Sequence, residues 1–291
     1  MNFQNIISEI EKTDPEVYEK IDSRRQVMRN LFRFSGKLAV ASVPLALGSM
    51  FKKAYGRTTD AISDVLQFAL TLEYLEAEFY NMVVAAPGLT ATLTGNVRTA
   101  LTTIRDHENA HVNFLKTTLT ALGATPIAKP TFDFTAGSYA GGPGTGLGLF
   151  SGVNSPFVNY TVMLAMSQTF EDTGVRAYKG QAPALIPSNN VLDAALRIHS
   201  VEARHAAHIR KVRFEAGATV KPWITLNQSG IPAPFAAAVQ ASYNGEENTT
   251  QANVSIINIG GQTISANAAS EAFDEPLTTA QVLAIVDPFI V

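Results

Sequence analysis

An all-α fold, a four-helix bundle with one long crossover, is what this sequence predicts, and three observations predict it. Four segments of roughly 25 residues carry apolar side chains at three- and four-residue spacing, the signature of helices with a buried face. The links between them run short, long, short, which is the connectivity of a bundle with a single crossover. Two of the segments hold a glutamate and a histidine three residues apart, and each of the other two holds a glutamate at a similar depth.

The first helix starts at Thr59 or Asp60, either of which can cap it. Ile62, Leu66, Ala69, Leu70, Glu73, Ala77 and Tyr80 then recur at helical spacing until Pro87-Gly88 ends the pattern. The second runs over about 96–122 and is stopped by Gly123. Residues 124–155 carry Gly and Pro throughout, with Phe132-Asp133-Phe134 as an apolar anchor, and form the long connection. A third helix covers about 156–179, and a fourth, capped at Asn189 or Asn190, runs to Glu215. Past Gly217 the composition shifts to Thr, Asn, Ser and Gly, with strand-like alternation over 254–259 and one short helix over 278–286. Residues 57–217 are therefore the bundle, and 218–291 an irregular, partly β C-terminal extension. The extension either covers the bundle or mediates assembly into a homo-oligomer.

Residues 1–56 are of a different kind. Arg24-Arg25 precede an uncharged run over 38–51, which is shorter than the ~20 residues of a membrane-spanning helix and suits the apolar part of an export signal. Ala54-Tyr55-Gly56 then places small residues where a signal peptidase cuts. The stretch resembles a twin-arginine export signal, which puts the mature protein in the periplasm or cell envelope. The alternative is an N-terminal arm packed on the body of a cytoplasmic protein. No integral membrane span is expected.

Composition excludes several functions. The chain is 46% hydrophobic and 16% charged, enough apolar matter for a large core, and its net charge of -3 supplies no basic surface for nucleic acid. With no cysteine there is no disulfide, thiolate nucleophile, iron–sulfur cluster or Cys-ligated zinc. Any metal must sit on carboxylates and imidazoles. Gly141-Gly142-Pro143-Gly144-Thr145-Gly146 is interrupted by proline and precedes no helix, so it reads as loop and not as a phosphate cradle.

The residues left to carry chemistry form a twofold repeat. Glu108 with His111, and Glu202 with His205, each leave one face of a helix, close enough for one metal to touch both. Each pair follows a helix with a glutamate and, seven residues on, a tyrosine: Glu73 with Tyr80, and Glu171 with Tyr178. Leu66 matches Leu164, Ile104 matches Ile198, and Leu115 matches Ile209. All four glutamates lie ~18 to 22 Å from their helix starts, so in antiparallel helices they meet at one level. Four carboxylates and two neutral imidazoles sum to a charge that two divalent cations neutralise. Without metal the carboxylates would have to take up protons or admit water.

One Glu from each of two helices and a Glu-x-x-His from each of the others is similar to the ligand set of the ferritin-like di-iron and di-manganese proteins. The segments LEYLEAEFY at 72–80 and PTFDF at 130–134 resemble more narrowly the branch with desiccation-related proteins and exported bacterial relatives. The resemblance spans about 59–217. It implies that Glu73, Glu108, His111, Glu171, Glu202 and His205 bind two divalent transition metal ions, iron or manganese, with Glu108, Glu202 or both bridging. Tyr80 and Tyr178 then stand behind the ligands or simply fill the core. Glu76, whose repeat counterpart is Gly174, reads as a solvated or outer carboxylate, and Gln168 as lining the pocket. His107, His199 and His208 lack repeat partners and read as surface or core histidines. The implied activity is redox chemistry on iron, dioxygen or peroxide, ferroxidase-like or manganese-catalase-like, with a small-molecule oxidant or metal ions as partners. The alternative is a non-enzymatic envelope or desiccation-protective scaffold with a structural or absent metal.

Overall fold

A computed structural model of the chain describes residues 59–137 and 148–291, all within one unit, Gly48–Val291. The export signal or arm and the glycine-rich loop at 141–146 lie outside the described residues. The fold is mostly helical. Helices α1 (Thr59–Ala85), α2 (Gly95–Ala121), α3 (Tyr160–Leu185) and α4 (Asn189–Glu215) form the bundle, in which α1 packs on α2, α3 on α4, and α1 against α3. The repeat-matched residues Leu66, Leu164, Ile104, Ile198, Leu115 and Ile209 are all buried. Gly123 and Gly217, both at positive φ, close α2 and α4 in a conformation glycine adopts without steric cost.

The third helix departs from the sequence reading at both ends. It starts at Tyr160 and not at Pro156, because Asn159 accepts from the backbone N–H groups of Thr161 and Val162 and caps it there. It continues past Lys179 to Leu185. Gly180 permits this: a Cβ there would lie 1.9 Å from the carbonyl oxygen of Leu277 in the extension.

The crossover lies along α1. Gln67 holds the backbone of Thr125 and Ile127, the Tyr74 hydroxyl donates to the Ile127 carbonyl, and Lys129 pairs with Glu78. Phe134 then enters an aromatic cluster with Phe79, Phe157, Phe170 and Phe289, as its role as an apolar anchor requires. The chain thereby turns α3 antiparallel to α1, which brings the two halves of the repeat face to face.

The extension contains α5 (Ala236–Val239), α6 (Ala266–Ser270) and α7 (Thr279–Val286), with a capping box between Thr278 and Gln281 on α7. The strand expected over 254–259 shrinks to a two-residue hairpin, β1 (Thr250–Gln251) with β2 (Val254–Ser255). Asn258 and Gly260 at positive φ break the extended run. The extension covers α3, which is buried on every side from Val162 to Tyr178. Gln168, Asp172 and Arg176 form a polar ridge at four-residue spacing on α3, and the extension satisfies it. Tyr243 donates to Asp172 and accepts from Gln168, Arg210 of α4 pairs with Asp172 at 2.5 Å, and Arg176 pairs with Glu246 at 2.7 Å. Arg176 also donates to the carbonyls of Ser242, Asn244 and Glu275. Without the extension this ridge would expose buried charges to an apolar interior or to water.

Candidate metal centre

The six residues of the repeat converge in the middle of the bundle. Glu73, Glu108, Glu171 and Glu202 are fully buried, and His111 and His205 are 9% and 5% exposed. Two quartets of ligand atoms form, each with all members within 4.8 Å of one another: Glu73, Glu108, His111 and Glu202 in one, and Glu108, Glu171, Glu202 and His205 in the other. Glu108 and Glu202 belong to both. Nδ1 of His111 is 3.1 Å from Glu73, 3.0 Å from Glu108 and 3.1 Å from Glu202. Nδ1 of His205 is 2.9 Å from Glu108, 3.3 Å from Glu171 and 3.6 Å from Glu202.

The tyrosines close the site across the α1–α3 seam. The Tyr80 hydroxyl of α1 donates to Glu171 at 2.5 Å, and the Tyr178 hydroxyl of α3 donates to Glu73. This reciprocal exchange follows from antiparallel packing of two helices with the same seven-residue Glu-to-Tyr spacing.

The site's protons follow from burial and pairing. Burial, reinforced by Glu202, holds the Glu108 carboxyl well above its ordinary range, and burial lifts Glu171 to about 7. Burial alone would lower both histidines. The charge of Glu171 and the close approach of the Glu108, Glu171 and Glu202 carboxylates overcome it at His205, raising it to about 12, and contacts with Glu108, Glu202 and Glu73 raise His111 likewise. Burial opposes ionisation of Glu202 too, but the close approach of both histidines pulls it down to about 2. Imidazolium protons thus stand where cations would compensate the carboxylates.

This donor set fits a metal. One oxygen each of Glu108 and Glu171, both oxygens of Glu202 and Nδ1 of His205 are buried without a hydrogen-bond partner. Such atoms are rare in folded proteins and call for an ion or water. Oxygen and imidazole donors of this kind suit iron, manganese or zinc.

The reading of Glu76 narrows to the outer carboxylate, that of Gln168 changes, and His107 gains a contact. Glu76 is not solvated: it is 3% exposed, and Gly174 leaves it room, since a Cβ there would lie 3.1 Å from its carboxylate. It borders a cavity of about 10 Å³ lined also by Leu72, Phe170, Thr173 and Val286, and burial followed by the four neighbouring glutamates pushes its carboxyl well up. Gln168 does not offer its amide to the pocket. Its nitrogen donates to Ser229 and Tyr243 and its oxygen accepts from Arg213, so the extension takes it. His107 is exposed, as expected, yet its Nδ1 lies 2.9 Å from Nε2 of His205. No sequence signal marks that contact, because it depends on the rotation of α2 against α4. His199 bonds the Val175 carbonyl, and His208 is exposed.

A buried carboxylate–histidine cluster at the middle of four helices, able to hold metal, defines a class of helical metal-carboxylate bundles. The family model described as ferritin-like domain matches residues 61–215, just over half of the sequence, and the chain belongs to that family. No functionally curated protein matches it.

Proposed function

We propose that this is a dinuclear metal-carboxylate protein that performs redox chemistry on iron, dioxygen or peroxide in stress protection. The observation that carries the reading is the sharing of Glu108 and Glu202 by both quartets, which is what two adjacent ions with bridging carboxylates require. Glu73 with His111 and Glu171 with His205 would then hold one ion each. Iron or manganese bound there supplies electron exchange with an oxygen species. Tyr178 and Tyr80 orient Glu73 and Glu171, and the apolar residues around the cluster keep water from the pocket. The resemblance to exported relatives and the sequence of residues 1–56 support an extracytoplasmic location, and a mature N-terminus near Arg57 would agree with it.

The test is metal analysis of purified protein, with peroxide-decomposition and ferrous-oxidation assays on the same sample. Two ions per chain with turnover support the enzyme. A second reading, a protective scaffold, draws on the histidine–carboxylate pairs that hold the pocket together without metal; a protein that takes up no metal supports it instead.

A further inference from the structure

The two halves of the site are related by the repeat, yet a contact behind His205 has no counterpart behind His111. His205 directs Nδ1 to Glu108 and Glu171, while its other nitrogen, Nε2, meets Nδ1 of His107 at 2.9 Å. The rings are nearly coplanar and meet edge to edge, with centroids 5.2 Å apart and planes 17° apart. His107 precedes Glu108 on α2. Its repeat counterpart, preceding Glu202 on α4, is Val201, which has no acceptor to offer. Among the described residues Nε2 of His111 makes no hydrogen bond.

A histidine that gives Nδ1 to a metal is neutral and keeps its single proton on Nε2. That proton needs an acceptor to fix the tautomer and the ring plane, and such outer partners commonly govern affinity. At His205 the acceptor is Nδ1 of His107, whose own proton then sits on Nε2. At His111 no group among the described residues does this.

We propose that His107 is a positioning residue for His205, so that the metal position built from Glu108, Glu171, Glu202 and His205 is the tighter of the two. The inference rests on the dinuclear reading above. It makes the ions inequivalent although their immediate ligands match: one imidazole is locked from behind, and the other turns more freely.

The experiment uses full-length protein titrated with Co²⁺, followed by visible absorption and by bound metal. His107→Phe keeps an aromatic ring against His205 and removes the acceptor. His107→Asn returns an acceptor near the place of Nδ1. Wild type should take up two Co²⁺ in separable steps. In His107→Phe the tighter step should weaken by about 10- to 100-fold with the other unchanged, and His107→Asn should recover part of the loss. The exposed position leaves the core intact, which circular dichroism verifies. Equal affinities in wild type and His107→Phe, or equal weakening of both steps, overturn the proposal while leaving the dinuclear reading in place. A wild-type protein that binds no Co²⁺ overturns both. Slower uptake at unchanged affinity makes His107 an entry group and also overturns the positioning role.

Discussion

Filling the pocket with two divalent cations at pH 7 should expel between about three and four protons per chain, because a buried site stays near neutrality and each ion replaces about two protons. The structure says which protons these are. His111 and His205, the latter raised to about 12, both carry one at pH 7, and burial, reinforced by Glu202, shifts Glu108 toward its protonated form. Glu171, lifted to about 7, carries about half of one at that pH, while Glu202, near 2, carries none. The sign is fixed: protons compete with metal, so overall affinity rises with pH. At roughly tenfold per proton, the product of the two association constants should increase by three to four decades per pH unit near neutrality. Above pH 8 Glu171 has already lost its proton, and the release should fall toward about three. Calorimetric titration with Mn²⁺ in two buffers of different ionisation enthalpy measures the number directly. A release of one proton or fewer at pH 7 would refute the reasoning, since it would mean that the pocket holds its carboxylates ionised without either metal or imidazolium.

Metal-free protein should be most stable in mildly acidic solution. The His205 contribution is complete below its unfolded value of 6.5 and is lost as pH rises toward about 12, and the Glu171 contribution is lost as pH rises from 4.5 through about 7. The Glu202 contribution is instead present above 4.5 and lost as pH falls toward 2. Scanning calorimetry from pH 4 to 9 should therefore show Tm falling above about pH 5, and a flat or rising Tm on that side contradicts the assignment. Tyr178→Phe removes the hydroxyl that donates to buried Glu73, and should cost about 1–3 kcal/mol in denaturant unfolding of the metal-free protein; an unchanged midpoint would show that Glu73 finds another donor. Arg176→Met strands Glu246 in the interior and should cost about 3–5 kcal/mol. Adding Glu246→Leu should recover most of that loss, and simple additivity of the two substitutions would deny the coupling.

The six residues of the centre were legible because each depends on something local. A Glu and a His three residues apart share a helix face whatever surrounds them, and four such helices of similar length align their middles. The repeat added the pairing of halves, which Glu73, Glu171 and the two shared glutamates display. The second and fourth helices were readable for the same reason, with Gly123 and Gly217 as stops in the chain itself.

Where the reading fell short, long-range contact decided. In sequence the third helix reads as about 156–179, but the cap at Asn159 starts it at Tyr160 and Gly180, packed against Leu277, lets it run on to Leu185. Glu76 lies on the face of Glu73, where a solvated or an outer carboxylate fits equally, and α3 decides for the latter by covering it at Gly174, a glycine whose purpose only the facing helix reveals. Gln168 shares a turn with Glu171, yet Tyr243, seventy-five residues on, claims its amide. His107 has no periodic partner because its partner is on another helix. Sequence by itself determined which helices form and which side chains share a face, since three- and four-residue spacing encodes both. Only the tertiary structure decided what each face meets, because the rotation of α2 against α4 and the seating of the extension on α3 are properties of packing between segments far apart in the chain.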